Sequence, residues 1–348
     1  MPLAAPVRAT TAFRRSKFIQ RVPHERVPDI RSVRLFPWPS LWRHDIVALS
    51  GSLTVNDMRA KWLIDANHRL QFFGVLVLYK LFAALPVDTA SRFGGWLGRT
   101  IGPRMSSHRR ALKNLRAVFP DKPDTAISLI ASQMWDNAGR VMAEYIHLDT
   151  ILSDPARVKC IGLEDCAAHM VGKKSGFALT AHYGNWEVTT LAGQQLGMNQ
   201  VSLYRAAKNP YVDQLIASHR RKTVAGGLLA KADGNMRSMM RLLSQGHTIG
   251  MMIDQREDRG LALQFLGRPS NTVHAPALLA RRGGLPLFIG RARRTHGAYF
   301  ELECMPVPLD ITTDWEKDVE TTTQKLNDIL TSWIIETPGQ WFWAHRRW

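Results

Sequence analysis

The stretch "LTAHYGNWEV" (179–188) ends an apolar run on His182 and places Glu187 five residues later. A neutral imidazole can take a proton from a hydroxyl. A carboxylate beside it can fix the ring's tautomer and stabilise the imidazolium that forms. A spacing of five does not put two side chains on one helix face, so pairing them needs a bend. Gly184 can supply it, because glycine enters left-handed backbone without a steric penalty. The stretch offers no serine or cysteine nucleophile, so the attacking group would be a hydroxyl of the substrate. Each residue also has a plain structural reading. An acid in a helix's first turn complements the dipole, and a histidine at a strand end can be a capping or satisfied core residue. No second histidine stands at HExxH spacing, which argues against a metallohydrolase.

The elements that must carry these residues alternate. Short apolar runs such as "GFALTAH", "VSLYR" and "TIGMMID" are followed by helical patterns such as "NWEVTTLAGQQLG", "YVDQLIASHRRKT" and "VHAPALLARRGG". That alternation predicts an α/β fold with a largely parallel central sheet flanked by helices. Helices are expected over 105–149 and again near the C-terminus, over "EKDVETTTQKLNDILTSWIIETP". His182 then lies at the carboxyl end of a strand, where open α/β sheets bind ligands. Gly184 and Asn185 form the turn, and Glu187 enters the next helix. Asp254 and Gln255 end another strand on the same sheet edge, which favours a polar role in substrate binding or geometry over strand-end capping.

The segment 71–86, "QFFGVLVLYKLFAALP", is the most apolar of the chain. It is shorter than the ~20 residues that span a bilayer comfortably and contains Lys80. Tilt and snorkelling would permit spanning; an in-plane anchor or a helix packed on the domain fits equally. Arg92, Arg99, Arg104, Arg109 and Arg110 follow, suited to anionic headgroups or to a solvated helix face. The expected organisation is a basic, disordered extension over 1–57, a membrane-associating helical segment over 58–104 and the α/β domain over 105–348. The first 24 residues lack acids and superficially match a transit peptide, but Pro23 and Pro28 spoil an amphipathic helix. Met58 is a possible native start.

Among 348 residues the formal charge is +17 and 45% are apolar, which describes a globular chain with an anionic partner. The cations form no long block of the kind that binds nucleic acid, so no nucleic-acid partner is expected. Cys160, Cys166 and Cys304 make neither a CxxC pair nor a disulfide framework and are expected to be reduced.

Five blocks in order carry a resemblance: "LKNLRAVFP" with "WDNAGRVMAEY", then "HYGNWE", "LYRAAKNPYVDQLIASHR", "IDQREDRGLALQFLGRPS" and the terminal "GQWFWAHRRW". Over roughly 70–348 they resemble the bacterial lipid A biosynthesis (lauroyl/myristoyl) acyltransferases, within the glycerolipid acyltransferase superfamily and its His-x4-Asp/Glu motif. The resemblance implies a membrane-associated O-acyltransferase, with His182 as general base and Glu187 as its catalytic partner. It implies substrate contacts at Gly184, Asn185, Arg205, Asn209, Asp254 and Gln255. A guanidinium at Arg205 can grip a phosphate bidentately, whereas Asn209 before Pro210 is also a turn signal. The implied donor is acyl-acyl carrier protein or acyl-CoA, and no metal or other cofactor is required. The implied acceptor is a phosphorylated, Kdo-bearing lipid A precursor at an anionic phospholipid membrane, the cytoplasmic face of the bacterial inner membrane. A lysophospholipid or another glycolipid is the nearer alternative acceptor. A non-catalytic basic protein binding membrane or nucleic acid is the rival of another class. The ending, with Trp341, Trp343, His345, Arg346 and Arg347, suits a membrane–water interface or phosphate binding; aromatic packing of a C-terminal tail is its plain structural reading.

Overall fold

The computed structural model describes residues 55–348 apart from Asp233. The expected extension over 1–57 lies, up to residue 54, outside the described residues. Lys61–Trp348 form one compact unit.

Helix α1 (Val55–Ala83) leads the described chain, followed by α2 (Val87–Ile101), α3 (Ser106–Val118) and α4 (Asp124–Glu144). The 71–86 segment therefore belongs mostly to α1, which is long but interrupted by charge. Among the described residues no helix is long and apolar enough to cross a membrane. Helices α2 and α4 touch backbone to backbone, because glycines face each other: a Cβ added to Gly98 would lie 2.0 Å from the Trp135 carbonyl oxygen.

After the short α5 (Leu148–Ser153), the strands are β1 (Val158–Ile161), β2 (Gly176–Thr180), β3 (Gln200–Tyr204), β4 (Gly227–Ala230), β5 (Thr248–Met252), β8 (Leu287–His296) and β9 (Tyr299–Pro306). They form one sheet in the order β1-β9-β8-β2-β5-β3-β4. The strands β8, β2, β5, β3 and β4 all run parallel; β9 turns back antiparallel to β8 and pairs parallel with β1. This is the largely parallel α/β sheet that the alternating pattern predicts. The intervening helices are α6 (Leu163–Met170), α7 (Thr190–Gln195), α8 (Pro210–Thr223), α9 (Met236–Ser244), α10 (Ala275–Gly283) and α11 (Trp315–Glu336).

A hairpin of β6 (Leu261–Phe265) and β7 (Arg268–Thr272) stands apart from the sheet. Its two-residue turn holds Leu266 at φ 52 and Gly267 at φ 72. Two positive values mark a type I′ turn, which normally carries Asn-Gly. A leucine there hides the signal. It is held because its side chain is buried and its N–H donates to Thr331 Oγ1 at 3.1 Å.

The main core lies between the sheet and α3, α4, α9, α10 and α11, and the last residues of the chain are built into it. Trp341 and Trp343 are 1% and 0% exposed. Their rings meet edge to face, 4.8 Å between centroids, and truncating either would cost roughly 3–5 kcal/mol. Of the readings of the Trp/Arg-rich ending, packing is the one observed for the tryptophans, and a place at a membrane surface is ruled out for them. Arg347 is buried too: it donates to the carbonyl oxygens of Gln255 and Asn271 and lies 4.1 Å over the Phe265 ring. Burial lowers its pKa to about 10, against the opposing pull of the Asp254 charge.

Candidate active site

Strands β2 and β5 are parallel neighbours with Thr180 opposite Met252. The residues two positions beyond each, His182 and Asp254, leave the sheet edge side by side. The His182 backbone N–H donates to Asp254 Oδ2 at 2.9 Å, and its ring Nδ1 lies 2.9 Å from Oδ1. An ionised carboxylate only accepts, so Nδ1 carries the proton and Nε2 keeps its lone pair. Trp341 closes the arrangement by donating its indole N–H to Asp254 Oδ2 at 2.9 Å. Burial by itself would raise the Asp254 pKa. The adjoining His182, through charge and both hydrogen bonds, and then His345 outweigh that and hold the carboxyl well below its usual range.

The carboxylate that orients His182 is thus that of Asp254. The pairing with Glu187 expected from the motif is not what the structure shows. Glu187 accepts from Arg220 Nε at 3.1 Å and from its Nη2, and from the Trp186 indole at 3.2 Å. Burial would lower the Arg220 pKa, but the Glu187 charge keeps it raised. The ion pair fills the wall beside Trp186, whose ring meets His182 edge-on at 5.2 Å. Glu187 also sits in a 3₁₀ turn, Trp186–Thr189, and not in a regular helix.

Gly184 and Asn185, expected as substrate contacts, are instead the bend that aims His182. Gly184 has φ 55, and a Cβ there would stand 1.8 Å from the Ala292 carbonyl oxygen. Asn185 is fully buried, donating to Glu144 Oε2 at 2.8 Å and accepting from the Glu187 N–H at 3.2 Å. Glu144, itself buried, is gripped by Arg294 and Ser91. Asn209 is likewise structural: its side-chain oxygen caps α8, and its amide donates to the His68 carbonyl of α1 at 2.8 Å. Asp254 is 0% exposed and so has no face left for substrate. Arg205 and Gln255 do line the cavity beside His182.

That cavity measures about 820 Å³. Its floor is one face of the sheet, and small residues hollow it. Ala178, Ser202 and Gly250 lie in one row, and Gly290 comes level with Thr180. Over them pass Ala192 and Gly193 of α7. Leu196, Met198, Phe288 and the adjacent thiols of Cys166 and Cys304 line the inner part. The three cysteines are free thiols, as expected. Arg205, Lys231 and Arg259 are the exposed cations that line the cavity. A strand advances ~3.3 Å per residue, so the Ala178 row lies ~13 Å from the level of His182. A hydroxyl and a long apolar chain can therefore meet at the histidine, the chain running inward beneath α7.

His345 stands over the same histidine, ring centroids 4.3 Å apart. Burial, with the neighbouring His182, pushes its pKa down to about 4. Trp341, Arg220 and His345 have no local sequence signal that pairs them with His182. The only clue is the Trp/Arg-rich block at the chain's end.

The profile of the family described as bacterial lipid A biosynthesis acyltransferase matches residues 58–348. The chain is 25% identical over 304 residues to the lipid A biosynthesis lauroyltransferase of Escherichia coli (strain K12), covering 82% of this chain and 93% of that one. It is 24% identical over 261 residues to the lipid A biosynthesis myristoyltransferase of the same organism, with coverage of 72% and 76%. A lipid A biosynthesis acyltransferase of Haemophilus influenzae is 22% identical over 285 residues, covering 78% and 86%. The chain is an acyltransferase and belongs to the bacterial lipid A biosynthesis acyltransferase family.

Proposed function

We propose that the protein moves a fatty acyl chain from an acyl thioester to a hydroxyl of a phosphorylated lipid A precursor, with His182 as general base. The observation that carries this is His182 lining the apolar cavity with its Nδ1 hydrogen-bonded to Asp254, which leaves Nε2 to take a proton. The acceptor hydroxyl gives its proton to Nε2 as its oxygen attacks the thioester carbonyl. Asp254 stabilises the imidazolium that results. The tetrahedral intermediate then collapses, the C–S bond breaks, and the proton passes from Nε2 to the departing thiolate. Thus one ester forms, one thiol leaves and the histidine is regenerated.

The cavity beneath α7 would take the acyl chain, and Arg205, Lys231 and Arg259 would meet phosphate. The donor would be acyl-acyl carrier protein, whose acidic surface suits a chain of net charge +17, or acyl-CoA. The exposed apolar side chains of α1 would rest against an anionic membrane, at the cytoplasmic face of the inner membrane.

The test is acyl transfer by membranes containing the protein, given radiolabelled acyl-acyl carrier protein and either a Kdo-lipid A precursor or a lysophospholipid. Label is expected on the precursor. Label only on the lysophospholipid would keep the mechanism and overturn the acceptor. No transfer to either, from acyl-acyl carrier protein or acyl-CoA, would overturn the reading.

A further inference from the structure

The His182–Asp254 pair has a third member that proton transfer does not use. The His345 Nε2 is buried and finds no hydrogen-bond partner among the described residues. It lies 3.8 Å from Asp254 Oδ2, beyond hydrogen-bond reach. An orphaned buried polar atom costs about 1–3 kcal/mol, so its position calls for a ligand. One ring nitrogen each of His182 and His345 and one Asp254 oxygen all lie within 4.8 Å of one another.

We propose that His182, Asp254 and His345 form a binding site for a divalent transition-metal ion of the zinc class, and that the bound ion switches the acyltransferase off. Two imidazole nitrogens and one carboxylate oxygen are the donor set of three-ligand zinc sites, which leave one position open to water. Ligands at ~2.1 Å around a tetrahedral ion stand roughly 3.4 Å apart. The His182 Nδ1–Asp254 Oδ1 separation, 2.9 Å, falls about half an ångström short of that value, and His345 Nε2 borders the same carboxylate, 3.8 Å from its Oδ2. A movement of the His345 ring toward Oδ1 would complete the site. Asp254 Oδ2 remains occupied by the His182 and Trp341 N–H groups, which leaves Oδ1 for the ion.

The chemistry couples binding to inhibition. An imidazole binds a metal through a lone pair, so the Nδ1 proton must go. That proton leaves to solvent while Nε2 takes one up, so the neutral ring changes tautomer with no net release. The ring's single proton then sits on Nε2, the atom that must be unprotonated to accept from the substrate. The ion would turn His182 into the tautomer that cannot act as a base. This inhibition arm rests on His182 as general base; the binding arm rests on geometry alone.

The experiment titrates chelator-stripped, full-length protein in detergent with Zn²⁺ against a chromogenic chelator, and separately with Co²⁺ as a spectroscopic probe. The expected result is a single tight site that takes one ion per chain at pH 7.5. Co²⁺ should show the intense visible bands of four-coordination. His345→Gln should weaken binding by at least about tenfold, whereas His345→Cys, which restores a ligand atom, should retain it. His169→Gln, at an exposed histidine, should change nothing. Zinc inhibition, measured against each variant's own metal-free rate, should shift by the same factor as binding. Equal binding by wild type and His345→Gln, with both folded by circular dichroism, would overturn the proposal, as would six-coordinate Co²⁺ spectra. A protein that binds zinc as expected but shows no metal-free transfer would instead overturn the reading of the activity.

Discussion

At the scale of single residues, two carboxylates stand close to His182 and do different work. Asp254 is wholly buried and hydrogen-bonded to the ring, so Asp254→Asn should leave the fold intact and misplace the ring proton. A kcat loss of about 10²–10⁴-fold is expected in the transfer assay, with His182→Ala losing at least ~10²-fold. Glu187 instead neutralises Arg220. Glu187→Gln would strand a largely buried guanidinium, and denaturant unfolding should show a loss of about 3 kcal/mol. If Asp254→Asn were as active as wild type while Glu187→Gln lost activity without losing stability, the two assignments would have to be exchanged. The motif makes both His182 and Glu187 visible in the chain. It cannot say which acid reaches the ring, because Gly184 turns the backbone between them and sends the Glu187 side chain toward α8.

The elements around the site are tied together by polar contacts between α1 and α8. Asn209 caps α8 and reaches the backbone of α1; Tyr211 donates to Asp65 at 2.8 Å. Asn209→Ala should therefore lower stability by ~1 kcal/mol or somewhat more, as lost caps do. The KM for either substrate should stay unchanged, because Asn209 does not line the cavity. Farther along, the Tyr79 hydroxyl and His219 Nε2 share a hydrogen bond of 2.7 Å. Burial, assisted by Lys222, lowers the His219 pKa. A histidine whose folded pKa is depressed contributes stability that is complete above the unfolded value of about 6.5. That contribution is lost as pH falls through the folded value, because the unfolded ring charges first. Amide exchange along residues 76–83 of α1, taken relative to its intrinsic rate at each pH, should therefore rise on going from pH 7 to pH 5, and His219→Gln should flatten that dependence. These ties escape a reading of periodicity, since each joins residues far apart in the chain through a single polar atom. The helices and central strands themselves were legible, because apolar spacing is a local property.

Over the whole molecule, charge and exposed apolar surface point the same way. Trp62, Leu70 and Phe73 on α1 are 69%, 72% and 64% exposed, on a chain of net charge +17. Cosedimentation with anionic vesicles is expected, weakening as salt screens the surface. A Trp62→Ser/Phe73→Ser double variant should lose most of it while unfolding like wild type. Undiminished binding by that variant would place the membrane contact elsewhere. By itself the amino-acid order determined the α/β class, the place of His182 at a strand's carboxyl end and the family. Those follow from short-range physics: the period of apolar residues, the backbone freedom of glycine, and ordered motifs. Only the tertiary structure decided that Asp254, 72 residues from His182, is its carboxylate, and that Trp341 and His345 come from the chain's end to meet it. Those contacts depend on the register of two parallel strands and on how a buried C-terminal segment packs across them, and neither is encoded in any local stretch.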